Sequence, residues 1–384
     1  MRLWPFRPRP RFVISATPPD DLLALEDLFR RNVEDIFVVK GRQLRGLSVV
    51  FVGELLVSAP RALALLEERF KPFGYTPFLR EEGGSVWVQA LPLAEVEEPA
   101  RVTWNVVLFV LTCLSTLLAG TGFAGSPTFD DFRRYAFPTW VVSGVPFAVT
   151  LLGILGVHEF GHYFTARHYR ASVSLPYFIP APPPLFLAGT LGAIIRMRSP
   201  ARDRNSLFDI AVAGPLAGLA VAVAAILLGL AWSTIVPMPP LGHVEFGTSL
   251  LMRALVYLRF GPIPEGMVVF THPVADAAWF GFLVTALNLF PVGQLDGGRI
   301  AYAMFGRRHR KVGIATFICL LLLGLITGSP SWFVWAGLLF FLIGFHHSPP
   351  LNDVTPLSPG RRVLGLACLV LLVLLIPPVP IEIR

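Results

Sequence analysis

From Val102 onward the chain is built of long apolar runs with short connections, whereas the first hundred residues carry apolar positions only in short blocks. The long runs fall at about 103–123, 139–165, 208–236, 274–292, 311–328, 331–346 and 362–379. They lie near the ~20 residues an α-helix needs to cross a bilayer, although the sixth is short and the last is followed by Pro377-Pro378. The pattern predicts a polytopic, all-α membrane protein with about six to seven transmembrane helices.

Before the first run the periodicity changes. Leu22, Leu23, Leu25, Leu28 and Phe29 follow helical spacing behind Asp20-Asp21, with Arg30 and Arg31 near the far end. Ile36–Val39 and Leu47–Val52 are strand-like, and Pro60 to Phe70 is a second helical pattern closed by Pro72 and Gly74. Tyr75–Leu79 and Val86–Ala90 are joined across Glu81-Glu82-Gly83-Gly84, a hairpin signal. With Phe12-Val13-Ile14 as a first strand, residues 1–98 are expected to form a small soluble α+β domain, ferredoxin-like in outline. No nucleophile, metal cluster or phosphate loop stands out there, so it reads as a sensing or substrate-filtering module or as a packing cap. Residues 102–384 make the transmembrane domain.

Two connections break the pattern. Pro176–Pro184 cannot be a regular helix, yet it and the following Leu185-Phe186-Leu187 are apolar, and Gly189–Ile195 after them has strand character. Irregular backbone this apolar is tolerated at membrane depth only against protein or a cavity, so a re-entrant, β-like loop is expected. Pro237–His272 holds Leu250–Arg259, the pattern of an interfacial amphipathic helix.

Composition supports the membrane reading: 54% of residues are hydrophobic, 15% are charged, and mean hydropathy is +0.64. The formal charge of +7 then reads as basic flanks of spans facing the lipid bilayer, and nucleic-acid binding is not expected. Arg167, Arg170, Arg196, Arg198, Arg202, Arg204, Arg307, Arg308, Arg310, Lys311, Arg361 and Arg362 all fall on one side of an alternating arrangement. That side is expected to be cytoplasmic and to carry the N-terminal domain. Arg133-Arg134, offset by Asp130 and Asp131, are the exception. Cys113, Cys319 and Cys368 lie in apolar runs and read as small hydrophobes. The first thirteen residues lack the apolar core of a cleavable signal. Composition points to a bacterial inner membrane, with a plastid membrane as the alternative.

Within the second run lies His158-Glu159-Phe160-Gly161-His162. Two histidines at i and i+4 share one face of a helix and can reach a single ion, and the glutamate beside the first can take a proton from a water at that ion. Ionisable groups in hydrocarbon are seldom kept without a task. Hydrolytic zinc calls for a third protein ligand and an open position. Asp296, in Asn288-Leu289-Phe290-Pro291-Val292-Gly293-Gln294-Leu295-Asp296-Gly297-Gly298-Arg299, fits that ligand or, alternatively, the cap of a helix beginning at Gly297. Asn288 fits either an oxyanion or substrate-backbone donor or a helix–helix hydrogen bond. Asp209 reads as a helix-start charge that could also neighbour the site. His168, His346 and His347 read as interfacial, and His243, His272 and His309 as loop residues.

The paired motifs resemble the site-2 protease family of intramembrane zinc metalloproteases. Gly189-Thr190-Leu191-Gly192-Ala193, Phe208–Gly218 and His347–Asp353 are similar to its bacterial and plastid branch without a PDZ domain. The resemblance is firm over about 140–305 and leaves the N-terminal domain uncovered; the catalytic core is placed at about 139–305. It implies that His158, His162 and Asp296 bind Zn2+ and that Glu159 activates the attacking water. The expected activity is endopeptidase cleavage of membrane-spanning protein substrates near the cytoplasmic side. Gly189, Thr190 and Gly192, with Asn288, are expected to hold the unwound substrate as an added strand. A metal transporter and an inactive membrane scaffold are the rival readings.

Overall fold

The computed structural model describes residues 22–45, 48–92, 102–123, 137–183, 186–238 and 244–383. The expected first strand at Phe12-Val13-Ile14 and the Asp20-Asp21 cap lie outside them. Helix α1 (Leu22–Val33) leads into the hairpin β1 (Phe37–Arg45) and β2 (Ser48–Leu55). Helix α2 (Ala59–Phe70) then leads into β3 (Thr76–Glu82) and β4 (Ser85–Leu91). Gly83 and Gly84 both adopt left-handed backbone (φ 61° and 78°), as a two-residue hairpin turn requires.

The four strands form one antiparallel sheet in the order β1-β2-β4-β3. β4 therefore takes the edge of β2 at which a ferredoxin-like sheet would seat its first strand. The tight Gly83-Gly84 turn fixes β4 beside β3, and the pair then adds to β2 as a unit. Fully buried Phe29, Phe37, Phe51, Leu63, Leu66, Phe70 and Leu79 fill the core between sheet and helices.

Leu351 joins that core from the far end of the chain. Residues 351–353 run between the free edge of β3 and residues 201–203. Leu79 N donates to Leu351 O at 2.7 Å and Asp353 N to Leu79 O at 2.8 Å. On the other side Leu351 N donates to Ala201 O at 3.0 Å and Asn352 N to Arg202 O at 2.9 Å. Arg307 pairs with Glu82 at 2.7 Å across the same boundary.

The remainder is mainly helical. Helices α3 (Val102–Phe123) and α4 (Phe137–His168) precede the short hairpin β5 (Tyr177–Pro180) and β6 (Thr190–Ile194). Helix α5 (Arg204–Ala231) is followed by β7 (Thr234–Pro237), β8 (Val244–Phe246), α6 (Leu250–Phe260) and β9 (Met267–Phe270). Then come α7 (Pro273–Asn288), α8 (Asp296–Phe305), α9 (His309–Thr327), α10 (Pro330–Leu338), α11 (Pro359–Leu375) and β10 (Ile381–Ile383). The amphipathic helix expected over Leu250–Arg259 forms as α6.

Among the described residues four stretches are long and apolar enough to cross a membrane: Val102–Phe123, Val142–His168, Arg204–Ala231 and Asp296–Thr327. The seven expected runs are thus not all full-length helices. α7 has 16 residues because the chain unwinds at Phe290-Pro291, and α11 has 17. The fifth run extends backward through α8, so one helical stretch starts at Asp296 rather than near residue 311. Two small strand pairs, β7 with β9 and β8 with β10, organise the far end. α4, α5 and α7 pack around Ile154, Phe208, Ala211, Ala222, Ile226, Ala275, Ala278 and Phe282. Small residues let these helices approach closely.

The apolar connection after α4 packs on protein, as its backbone polarity demands. Asn105 on α3 donates to Leu175 O at 3.0 Å and Pro176 O at 2.8 Å, and Ser115 donates to Gly189 O at 2.6 Å. Gly189 has φ 75°, and a Cβ there would lie 2.4 Å from Ser115 O.

Candidate active site

His158 and His162 stand one turn apart on α4, each 3% exposed, with Glu159 at 5%. α5 crosses this face and offers glycines where the imidazoles point. A Cβ on Gly214 would lie 2.1 Å from His162 Nε2, and one on Gly218 would lie 3.0 Å from His158 Cβ. Gly161 answers from α4, where a Cβ would sit 2.8 Å from Ala213 O. The two backbones close on each other at three glycines, and the histidine rings fill the slots that result. His162 Nδ1 lies 2.6 Å from Ile210 O. A carbonyl only accepts, so Nδ1 is the donor and Nε2 keeps its lone pair.

Asp296 arrives from α8. Its helix has Leu295 as N-cap with no side-chain cap bond, so the carboxylate does not cap. It turns to the histidines instead: Oδ2 lies 3.1 Å from His162 Nε2 and 3.4 Å from His158 Nε2. Two further glycines make this possible. A Cβ on Gly297 would meet Leu289 O at 1.9 Å, and one on Gly298 would meet Gly293 O at 2.4 Å. Only a bare backbone lets α8 begin so close to the turn that ends α7.

The two Nε2 atoms are 3.2 Å apart. Lone pairs and a carboxylate oxygen converging on one point repel unless a cation lies between them. The three separations, 3.1, 3.2 and 3.4 Å, match the ~3.3 Å edge of a tetrahedron whose centre is 2.0–2.2 Å from each corner, the zinc distances for nitrogen and oxygen. Among the described residues this trio is the group of histidine, cysteine and acidic side chains placed to hold a metal. Its donor set and geometry fit zinc and leave the fourth corner open.

Asn288, the last residue of α7, puts its amide nitrogen 3.3 Å from His158 Nε2, so it belongs to the site and not to a distant helix contact. The Ile195 backbone, immediately after β6, lies beside the Glu159 carboxyl. Thr190 and Gly189 build this hairpin more than they present themselves. Thr190 is 3% exposed, and its hydroxyl donates to Ile179 O at 2.8 Å and accepts from Gly192 N at 3.0 Å. Gly192 sits at φ 98°. The outward side chains of β6 are Leu191 and Ile194, and the strand pairs only with β5 among the described residues.

Sequence reasoning missed the support of Ile210. Asp209, read as a helix-start charge, accepts from Arg361 Nε at 2.7 Å and Nη2 at 2.6 Å and from the hydroxyl of Tyr169. The ends of α4, α5 and α11 are thereby pinned one residue from the carbonyl that orients His162. Burial, and then the hydrogen bond to Asp209, raises the Tyr169 hydroxyl above its ordinary range and keeps it a donor. An acid inside an apolar run was a visible signal; its partner 152 residues away was not. His309 and His272 are also not plain loop residues. His309 is buried at the start of α9, and His272 caps α7 by accepting from Val274 N. His243 lies outside the described residues.

Residues 146–326 match peptidase family M50. The chain carries an M50 peptidase domain. "Probable zinc metalloprotease EGY1, chloroplastic" of Arabidopsis thaliana is 30% identical over 375 residues, covering 87% of this chain and 66% of that protein. "Probable zinc metalloprotease EGY2, chloroplastic" of Oryza sativa subsp. indica is 35% identical over 262 residues, covering 66% and 45%. "Probable zinc metalloprotease EGY3, chloroplastic" of the same rice is 28% identical over 395 residues, covering 93% and 64%. The chain therefore spans less than two thirds of the length of these relatives. No solved structure matches it. The M50 domain encloses α5, α7 and α8, most of α4 and nearly all of α9, and so contains every residue of the trio. With its apolar helices, this is a membrane protein.

Proposed function

We propose that this protein is an intramembrane zinc endopeptidase that hydrolyses peptide bonds of membrane-spanning substrates. The observation that carries the reading is the convergence of His158, His162 and Asp296 with Glu159 at one buried point between apolar helices. His158, His162 and Asp296 hold zinc, which when bound acidifies water and polarises a carbonyl. Glu159 takes the proton of the attacking water and passes it to the leaving amine. The Ile195 backbone beside it places the carboxylate at the end of β6. Asn288, beside His158, donates to the oxyanion as it develops. A helical substrate hides its peptide bonds, so it unwinds and adds to the unpaired edge of β6, held in register by the Gly189–Gly192 segment.

By the distribution of arginines, the end bearing the trio and the N-terminal domain faces the cytoplasm. Residues 1–98 form a separate domain on the transmembrane protease domain of 102–384, with α7 and α11 as further crossings. The membrane is a bacterial inner membrane or a plastid membrane; the chloroplastic names of its relatives favour the second. A transporter would need ligands along the far half. The buried acid there, Asp276, is taken up by Thr271.

The test is cleavage of a model single-span substrate by purified protein in detergent, wild type against Glu159→Gln, with bound zinc measured in both. Zinc in both with cleavage only by wild type is the expected result. Wild type that retains zinc and cleaves nothing overturns it.

A further inference from the structure

Arg299 follows Asp296 by one turn of α8, so both side chains leave the helix on the face turned to α4. Several other arginines are neutralised by a carboxylate: Arg42 by Glu26, Arg69 by Asp35, Arg204 by Asp353, Arg361 by Asp209. Arg299 is not. Its Nη1 donates to Met197 Sδ at 3.6 Å, and among the described residues no acid pairs with it. A thioether is a weak acceptor that leaves the charge unneutralised. The half-buried guanidinium lies near enough to act on the Glu159 carboxyl on one flank and on the His347 ring on the other.

Met197 is two residues beyond Ile195, whose backbone lies beside Glu159. At ~3.3 Å per extended residue, Arg299 stands roughly 7 Å along the chain from the base. A peptide laid on β6 with its scissile bond beside Glu159 brings a side chain one or two residues away up to this guanidinium. We propose that Arg299 is a specificity-determining residue that binds an aspartate or glutamate of the substrate within two residues of the scissile bond. The inference rests on the protease reading above. The planar fork of arginine matches a carboxylate through two parallel hydrogen bonds. The sulfur of Met197 holds the fork in place and yields to a stronger acceptor. A lysine or arginine at the same substrate position meets a like charge and is rejected. Cytoplasmic flanks are commonly basic, so an acid there marks out a minority of membrane proteins.

The experiment uses the full chain with zinc in detergent and a single-span substrate carrying Asp, Asn or Lys singly at each position within two residues of the cut. At one position Asp should exceed Asn in kcat/KM by roughly tenfold, the scale of one hydrogen bond to a charged group, with Lys slowest. Arg299→Gln should bring the Asp-to-Asn ratio to about one with bound zinc retained, Arg299→Lys should keep part of it, and Arg299→Glu should favour Lys. Wild type that cleaves all substrates equally overturns the inference and leaves the protease reading standing. So does a ratio that survives in Arg299→Gln. Loss of zinc in Arg299→Gln would make Arg299 a support of α8 and overturn substrate recognition. Zinc-loaded wild type that cleaves none of them overturns both.

Discussion

Phe29 in the N-terminal domain and His162 in the seam between α4 and α5 are almost equally hidden, at 0% and 3% exposure. Phe29 is surrounded by Phe70, Phe73 and Tyr75 rings at 4.4 to 5.8 Å. His162 faces a bare glycine, a backbone carbonyl and a carboxylate. The first region gains stability from apolar volume, and its buried carboxylate, Glu26, is answered by Arg42 at 2.9 Å. The second gives up volume, admitting backbone where side chains would pack, and buries two imidazoles and a carboxylate around one point. Damage to the first should appear as lost stability, and damage to the second as lost metal and chemistry.

The sharpest break of that contrast pairs Gly214→Ala with Phe29→Ala. The added methyl meets His162 Nε2 in a helix that cannot retreat, so Gly214→Ala should lose most of its zinc and at least ~100-fold in cleavage. Its melting temperature without metal should stay near wild type. Phe29→Ala should instead lose about 3–5 kcal/mol from its domain while the protein retains zinc. Metal content beside thermal unfolding reads both, and a zinc-loaded Gly214→Ala would refute the seam argument.

Next in size is the support one layer out. Asp209→Asn weakens the hold of Arg361 and Tyr169 on α5 beside Ile210, and zinc affinity should fall by roughly 10–100-fold. Competition with a chelator measures it. Affinity equal to wild type would mean that the His162–Ile210 bond needs no such anchor.

A smaller effect belongs to the boundary between the two regions. Asp353 accepts from Arg204 Nε at 2.8 Å and from the Tyr302 hydroxyl at 2.9 Å, and Tyr302 lies on the helix that starts with Asp296. Asp353→Ala leaves the buried Tyr302 hydroxyl and the half-buried Arg204 unmatched and should cost about 1–3 kcal/mol, with proteolysis between the N-terminal domain and α3 quickened. Unchanged proteolysis would show that the backbone pairing of residues 351–353 suffices alone.

What could be read in advance follows the range of the interactions. HExxH declares itself because its two histidines and its glutamate lie within about one helical turn. Asp296 was nameable, but its turn towards the histidines rests on glycines 297 and 298, whose need for close backbone approach appears only in three dimensions. The Gly83-Gly84 hairpin was legible for the same local reason, while the pairing of β2 with β4 was not. The strand-like insertion of residues 351–353 joins parts of the chain more than a hundred residues apart, and no periodicity encodes it. Seven apolar runs were visible, yet where α7 stops depends on Pro291 and on the site that must form just beyond it.

The smallest expected effect returns to the N-terminal domain, where a carboxylate of the same kind as Asp296 does ordinary work. Asp35 accepts from both terminal nitrogens of Arg69 at 2.6 and 2.7 Å, in the open. The hydrogen bonds from Arg69 hold its carboxyl below the usual range against a small opposing burial. A carboxyl depressed in the folded state contributes stability above its unfolded value, near pH 4, and loses it as pH falls through the lower folded value. Arg69→Gln should therefore return the Asp35 titration to the ordinary range and remove that acid dependence, leaving zinc content and cleavage untouched at neutral pH. Carbon-detected titration of the Asp35 side chain reads the first effect. An Asp35 that titrates normally already in wild type would show that solvent has screened the pair out of any role, and that this region owes its stability to the Phe29 cluster alone.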